Sequence, residues 1–507
     1  MTRARLLLPA ALLLLIGVVV LARLTPPVVT TADIAVTELY TDLASHGRLL
    51  VGPYSRFGWH HPGPIYFYLQ APLYAVSGRA GAALFAGAAA INVFALGLLL
   101  WTTVAQRRPI LALCTGGMLL LFAFRVPRLL ASPWTAHVTV LPALAGIALG
   151  ATIASGRTRL LALMAFVVSF VVQTDLAFVP SMAAVVAVTM GAVAFRAMRE
   201  RTMPIRDLLI AAAVSAAVWW LPVADAIRNG GGNLAAVWRF FAMSGKGLPS
   251  TSAAFVAWSG AFAGVVRPEL TLPWGGHLGE PPGPIVVGAA STLLFLLALA
   301  SAFAARAHRI FNAWLAAITV VAAVAGFWAL TRVRGDILDH EAFWLSAAGT
   351  LAAGLIIGIF GEAAFVERSI VHRIALSAAA LVPLAAAALA FVHFENFVGF
   401  ERRSLAQRDI PPAVAAIEGF LDERNLKTTV CEMDTAWAQG VPIVLRLRQD
   451  QRRVAVDAEH VFMFTEALAS TGHEEVRLSV LPGRRAPAGS GWELVFDSSS
   501  VSVYARR

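Results

Sequence analysis

Asp33, Glu38 and Asp42 lie in one short acidic stretch, and two adjacent histidines, His60 and His61, follow in "SRFGWHHPGPIYFYL" (55–69). A carboxylate can take the proton from an attacking hydroxyl, a general-base effect of about 10²–10⁴. The histidines can hydrogen-bond a phosphate or orient a carboxylate, or they can cap and pack. Arg56 adds a cation beside them. If 33–45 is helical, Glu38 and Asp42 share a face at i, i+4, while Asp33 and Glu38 stand roughly 140° apart. The three acids are therefore no simple paired-carboxylate site, and a solvated acidic helix is the competing reading.

A second set of polar residues lies further along the chain. Arg125, Arg128, Gln173, Asp175, Arg332, Arg334, Asp336 and His340 fall at or just beyond the ends of apolar segments. Such charges either snorkel into local ion pairs or neutralise an anionic headgroup, for which arginine matches phosphate geometry. Other signals are weaker. "NGGGN" (229–233) has neither the preceding strand nor the following Lys-Ser/Thr of a phosphate loop, and His340-Glu341 lacks the second histidine of a zinc protease helix. No Cys/His cluster suggests a structural metal. Cys114 and Cys431 occupy contexts unlike each other, and no disulfide is expected.

The elements that must position these groups are dictated by composition. Hydrophobic residues make up 58% of 507 and charged residues 14%, and the mean hydropathy is +0.72. That balance belongs to a polytopic membrane protein. The formal charge of +10 comes almost wholly from arginine, and it speaks of topology rather than of nucleic acid. About 20 apolar residues are needed to cross the ~30 Å hydrocarbon core. Eleven segments qualify: 6–24, 81–105, 109–124, 137–154, 159–173, 176–195, 207–224, 283–304, 311–330, 342–361 and 374–393. The first also resembles a signal peptide; its length favours a retained anchor.

Arginines at 3, 5, 107, 108, 157, 159, 196, 199, 201, 206, 306, 309, 368 and 373 all fall on the side of the N-terminus, which the positive-inside rule makes cytoplasmic. The 25–80 segment, the 225–282 loop and the tail from about 395 then face outward. Residues 64–76, apolar and studded with tyrosine, predict an interfacial helix, and "AAVWRFF" (235–241) predicts a short amphipathic one. The expected organisation is a transmembrane domain over 1–394 and an extracytoplasmic α/β domain over 395–507. Within that domain, "TTVCEMD", "RRVAVD", "VRLSVL" and "SVSVYA" predict strands, and 411–424 and 435–449 predict helices.

Asp33 and Glu38 in the first outer loop, "HHPGPIYFYLQAP" before the second span, many spans and an outer C-terminal domain together resemble the GT-C superfamily of membrane glycosyltransferases. The likeness is to its branch of protein mannosyltransferases and lipid A aminoarabinose transferases. "SFVVQTDLAFVP" (169–180), "WWLPVADAIRNGGGNLAAVWRFF" (219–241) and "VCEMDTAWAQGVPIVLRL" (431–448) resemble segments of bacterial members. The resemblance implies a polyprenyl-phosphate sugar donor, a glycan, lipid or protein acceptor, inversion at the anomeric centre, and Asp33 as the base, with Glu38 its partner or substitute. It implies substrate contacts from Arg56, His60, His61, Arg125, Arg128, Gln173, Asp175, Arg332, Arg334 and His340. It names no certain cofactor and leaves a divalent metal open. The location implied is the bacterial cytoplasmic membrane, with the tail outside. A lipid or polysaccharide transporter is the alternative, though carriers place ionisable groups mid-span and most spans here have uncharged centres. An inactive relative serving as an assembly partner is a third.

Overall fold

The computed structural model describes residues 16–242, 247–365 and 369–507. Arg3, Arg5, Lys246, Arg368 and most of the 6–24 segment therefore lie outside the described residues. The chain forms two compact units, one of the residues up to Gly87 together with Glu395–Arg507, the other Ala88–Phe394. The first polar segment thus groups with the tail, not with the spans that follow it.

Eight helices among the described residues are long and apolar enough to cross a membrane: Ala82–Ala105, Thr135–Ala154, Leu176–Glu200, Ile205–Arg228, Pro284–Arg306, Ile310–Leu330, Asp339–Ala364 and Ser369–Arg402. Eleven were expected. Pro109–Arg125 and Thr158–Thr174 form as shorter apolar helices, and the 6–24 segment is helical over the described 16–24. Burial separates two kinds of span. The apolar window of Thr135–Ala154 is wholly buried, whereas those of Ile205–Arg228 and Pro284–Arg306 are 11% and 17% buried. Helices apolar on every side yet so uncovered are stable against lipid, not water, and the protein is membrane-embedded.

Within Ala88–Phe394, cationic connections gather at one end and hold neighbouring helix termini. Arg157 donates to the Ala105 carbonyl (2.7 Å), Arg196 to that of Ala154 (3.0 Å), and Thr158 to Asp207 (2.5 Å). Arg108 and Asn312 both reach Glu362, at 3.3 and 3.2 Å. Cations at helix C-termini satisfy the last carbonyls and suit the helix dipole.

The 225–282 segment is more structured than a loop. Gly232–Ala242 is the expected short helix, and Thr251–Phe262 is a further one, opened by the Ser250 hydroxyl accepting from the Ala253 amide (3.1 Å). The triple glycine is a turn locked by Asp225, which accepts from the Asn229 side chain (2.7 Å) and the Asn233 amide (2.8 Å). Gly230, Gly231 and Gly232 all have positive φ, and a Cβ on Gly232 would fall 2.3 Å from the Asp225 carboxylate, so the run serves backbone geometry.

The tail holds a five-stranded sheet of order β2-β1-β3-β5-β4. The strands are β1 (Thr428–Glu432), β2 (Arg453–Val456), β3 (Val476–Pro482), β4 (Glu493–Asp497) and β5 (Val501–Arg506). β1 pairs in parallel with β2 and β3, and β5 pairs antiparallel with β3 and β4. Four strands were expected; β4 is the addition. Helices Leu405–Glu423 and Trp437–Gln449 match the two expected, the first beginning earlier than 411.

Candidate functional site

Helix Ala32–Ser45 carries the three acids. It is no solvated helix: Glu38 is 0% and Asp42 3% exposed, and Asp33 alone of the three is half-buried. The i, i+4 face bearing Glu38 and Asp42 meets helix Trp437–Gln449, whose Arg446 lies 3.8 Å from Glu38 and whose Arg448 lies 3.8 Å from Asp42. Glu38 accepts from Thr30 Oγ1 (2.6 Å) and Tyr74 Oη (3.1 Å), and Gln449 donates to Tyr74 Oη at 2.6 Å. Burying a carboxylate is tolerable only with such partners.

Asp33 has a different setting, on the first helical turn, where an anion is favoured by the helix dipole. Its Oδ1 accepts from Tyr54 Oη at 2.5 Å. Burial, followed by the negative charge of Asp33, raises the Tyr54 phenol far above its usual range, so Tyr54 remains a neutral donor. Tyr54 sits in a tight hairpin: the Ser55 amide donates to the Trp59 carbonyl (2.8 Å), the His61 amide to Pro53 (2.7 Å) and the Gly52 amide to His61 (3.1 Å). Close approach requires glycine at 52, where a Cβ would lie 2.6 Å from the His61 carbonyl oxygen. A strand-like bridge pairs the backbones of Tyr54 and His60, and the His60 ring lies 6.3 Å from that of Tyr40, two turns along the helix from Asp33. His61 turns edge-on to Trp59 (5.4 Å). Arg56 lies over Phe57 (4.8 Å) at the exposed hairpin tip.

The predicted interfacial helix forms as Ile65–Val76, but its tyrosines do not line a surface belt. Tyr66 and Tyr74 are fully buried, while Leu69 and Val76 are exposed. The amphipathic ring that suits a headgroup region equally suits an interior where its hydroxyl has a partner, and Tyr74 finds Glu38.

The remaining expected contacts belong to Ala88–Phe394. Arg125 donates to the carbonyls of Gly264 (3.2 Å), Val265 (3.4 Å) and Arg267, closing the C-terminal end of the Thr251–Val266 segment. Arg128 has a left-handed backbone before the Leu129–Ala131 turn. Gln173 donates to the Val218 carbonyl (3.0 Å), and Asp175 caps the Leu176–Phe178 turn by accepting from the Ala177 amide (3.0 Å). Arg332 lies over Trp328 (5.2 Å); Arg334 lies over Phe240 (4.0 Å) and donates to its carbonyl (2.6 Å). His340 tilts against Trp134, which stacks on Trp274. Asp339 fastens the segment after Pro273 by accepting from the Gly275 amide (2.9 Å), and Glu341 accepts from Leu338 (2.8 Å) at the helix start. "DHE" is thus a helix-opening motif.

The structure therefore joins Asp33 to the hairpin through Tyr54 and sets Glu38 in a separate polar core. Tyr54, Tyr74, Arg446, Arg448 and Gln449 were not singled out from the sequence. Their partners lie up to 418 positions away, and no local spacing signals such a pairing. Among the described residues no group of three or more His, Cys, Asp or Glu side chains is placed to hold a metal ion. No protein-family model, curated protein or solved structure matches the chain.

Proposed function

We propose that the protein is a GT-C-like glycosyltransferase of the bacterial cytoplasmic membrane, moving a sugar from a polyprenyl-phosphate donor to an extracytoplasmic glycan, lipid or protein. The observation that carries this reading is the half-buried Asp33 carboxylate, held by Tyr54 at 2.5 Å, a few residues beyond the first apolar segment. Asp33 takes the acceptor hydroxyl proton as that oxygen attacks the anomeric carbon. The anomeric bond to the lipid phosphate breaks on the opposite face, inverting the configuration, and the phosphate leaves with the bonding pair. Tyr54 fixes the carboxylate by donating to its Oδ1. Glu38, engaged by Thr30 and Tyr74, acts as a positioning residue that locks the helix.

Membranes carrying wild type, Asp33→Asn or Glu38→Gln are assayed with radiolabelled polyprenyl-phosphate sugars. Expected are transfer by wild type and a loss of about 10²–10⁴ in Asp33→Asn at unchanged protein level. Full transfer by Asp33→Asn would remove Asp33 from the role of base.

A further inference from the structure

At the far end of the Ala32–Ser45 helix, nine residues and about 13 Å along its axis from Asp33, a cavity of about 490 Å³ opens within the same unit. Its volume is that of a small-molecule site, roughly 300–1,000 Å³. Five arginines line it: Arg48, Arg79, Arg448, Arg452 and Arg453. Their charges are unequally compensated. Arg452 is committed to Asp422 by paired bonds of 2.7 and 2.8 Å. Arg79 and Arg448 share the buried Asp42 at 4.0 and 3.8 Å, too long for direct hydrogen bonds. The Asp42 Oδ1 and Arg448 Nε atoms are buried without a hydrogen-bond partner. Among the described residues Arg48 and Arg453 make no side-chain hydrogen bond or ion pair with the protein.

Converging cations with unused donors form a ready site for an anion. The surroundings of Arg448 sharpen that need: burial disfavours its charge, Asp42 restores it, and neighbouring Arg48 opposes it. Thr428 and Thr471 add hydroxyls to the wall. Guanidinium forks match the oxygens of phosphate and pair with them bidentately, and a dianionic group answers several arginines at once.

We propose that this cavity binds a phosphomonoester group. Asp42 holds Arg79 and Arg448 in place, and Arg48 and Arg453 close on the ligand. The site stands apart from Asp33 and from sugar transfer, so its test reads binding alone.

The full-length chain in phosphatidylcholine nanodiscs is titrated calorimetrically with glucose 1-phosphate, and in a second arm nanodiscs are doped with phosphatidic acid, whose phosphomonoester is read by ³¹P line broadening. The variants are the double Arg48→Gln/Arg453→Gln, whose side chains hold up no other group, and Arg448→Gln. Saturable binding of the soluble ester, weakened about tenfold or more in the double variant, supports a soluble ligand. Broadening of the lipid phosphate alone, lost in the same variant, supports a headgroup. Absence of binding in both arms, or binding that the double variant leaves unchanged, overturns the proposal. Arg448→Gln takes a cation from the buried Asp42, so its unfolding midpoint is read alongside, and the double variant decides if that one misfolds.

Discussion

Two carboxylates on one helix, Asp33 and Glu38, differ in everything but chemistry. Glu38 has no exposed surface and is held by Thr30 and Tyr74 with Arg446 nearby. Asp33 is half-buried and donor-held through Tyr54. A fully enclosed acid gives little to a substrate, whereas a half-buried one keeps surface that an incoming hydroxyl can reach. Position on the helix decides which is which: Asp33 is half-buried on the first turn, and Glu38 on the second turn faces Trp437–Gln449.

The sharpest way to break this comparison is to remove each acid and read stability. Glu38→Ala leaves Tyr74, Thr30 and Arg446 around an emptied site, and loss of one partner of a buried ionic network costs about 3–5 kcal/mol. Thermal unfolding of purified protein should show it as a large drop in midpoint. Asp33→Asn keeps the shape and an acceptor for Tyr54, and should cost less than about 1 kcal/mol. Equal losses would dissolve the distinction. Next in size is Tyr54→Phe, which deletes a hydrogen bond to a charged group worth about 1.5–3 kcal/mol. Transfer should fall roughly tenfold. The fall should lie in kcat rather than KM, because the base loses the donor that orients it; lowered stability with transfer unchanged would make Tyr54 a packing residue.

A smaller effect separates structure from substrate in the other unit. Arg125 donates to three carbonyls at the end of the Thr251–Val266 segment, so Arg125→Met should cost about 1–2 kcal/mol of stability and leave the KM for donor unchanged. A raised KM at full stability would restore it as a phosphate contact.

Much of this was legible because membrane spans announce themselves through composition. Runs such as 283–304 and 311–330 become helices within two residues of the expected ends, since no aqueous alternative accommodates them. The i, i+4 face of Glu38 and Asp42 was also legible, but not what it faces. Tyrosines 66 and 74 were misplaced because an amphipathic ring reads alike at a headgroup and in a core. Strand β4 escaped because its residues run from exposed to half-buried without alternation. The Thr251–Phe262 helix escaped because its apolar run is too short for a span, although Ser250 gives the N-cap signal.

The smallest effect concerns a carboxylate satisfied locally rather than across the fold. Glu474, on the cavity wall, accepts from Ser470 Oγ (2.6 Å), the Thr471 amide (2.8 Å) and hydroxyl (3.0 Å), and the Gly472 amide (3.1 Å). Desolvation pushes its pKa up, and these bonds more than reverse that, bringing it down to about 2. The folded value lies below that of an unperturbed glutamate, about 4.3. Its contribution is therefore fully present above that value and is lost as pH falls through about 2. Because every partner sits within four residues, the loss should loosen the 470–474 turn without unfolding the sheet. Hydrogen exchange should show protection at Thr471 and Gly472 declining between about pH 4.5 and 2 while β1 and β3 stay protected, and Glu474→Gln should abolish that pH dependence. Simultaneous loss in the strands would mean that the turn and the sheet open as one, and that local satisfaction does not insulate this acid from the fold as the enclosure of Glu38 binds that acid to it.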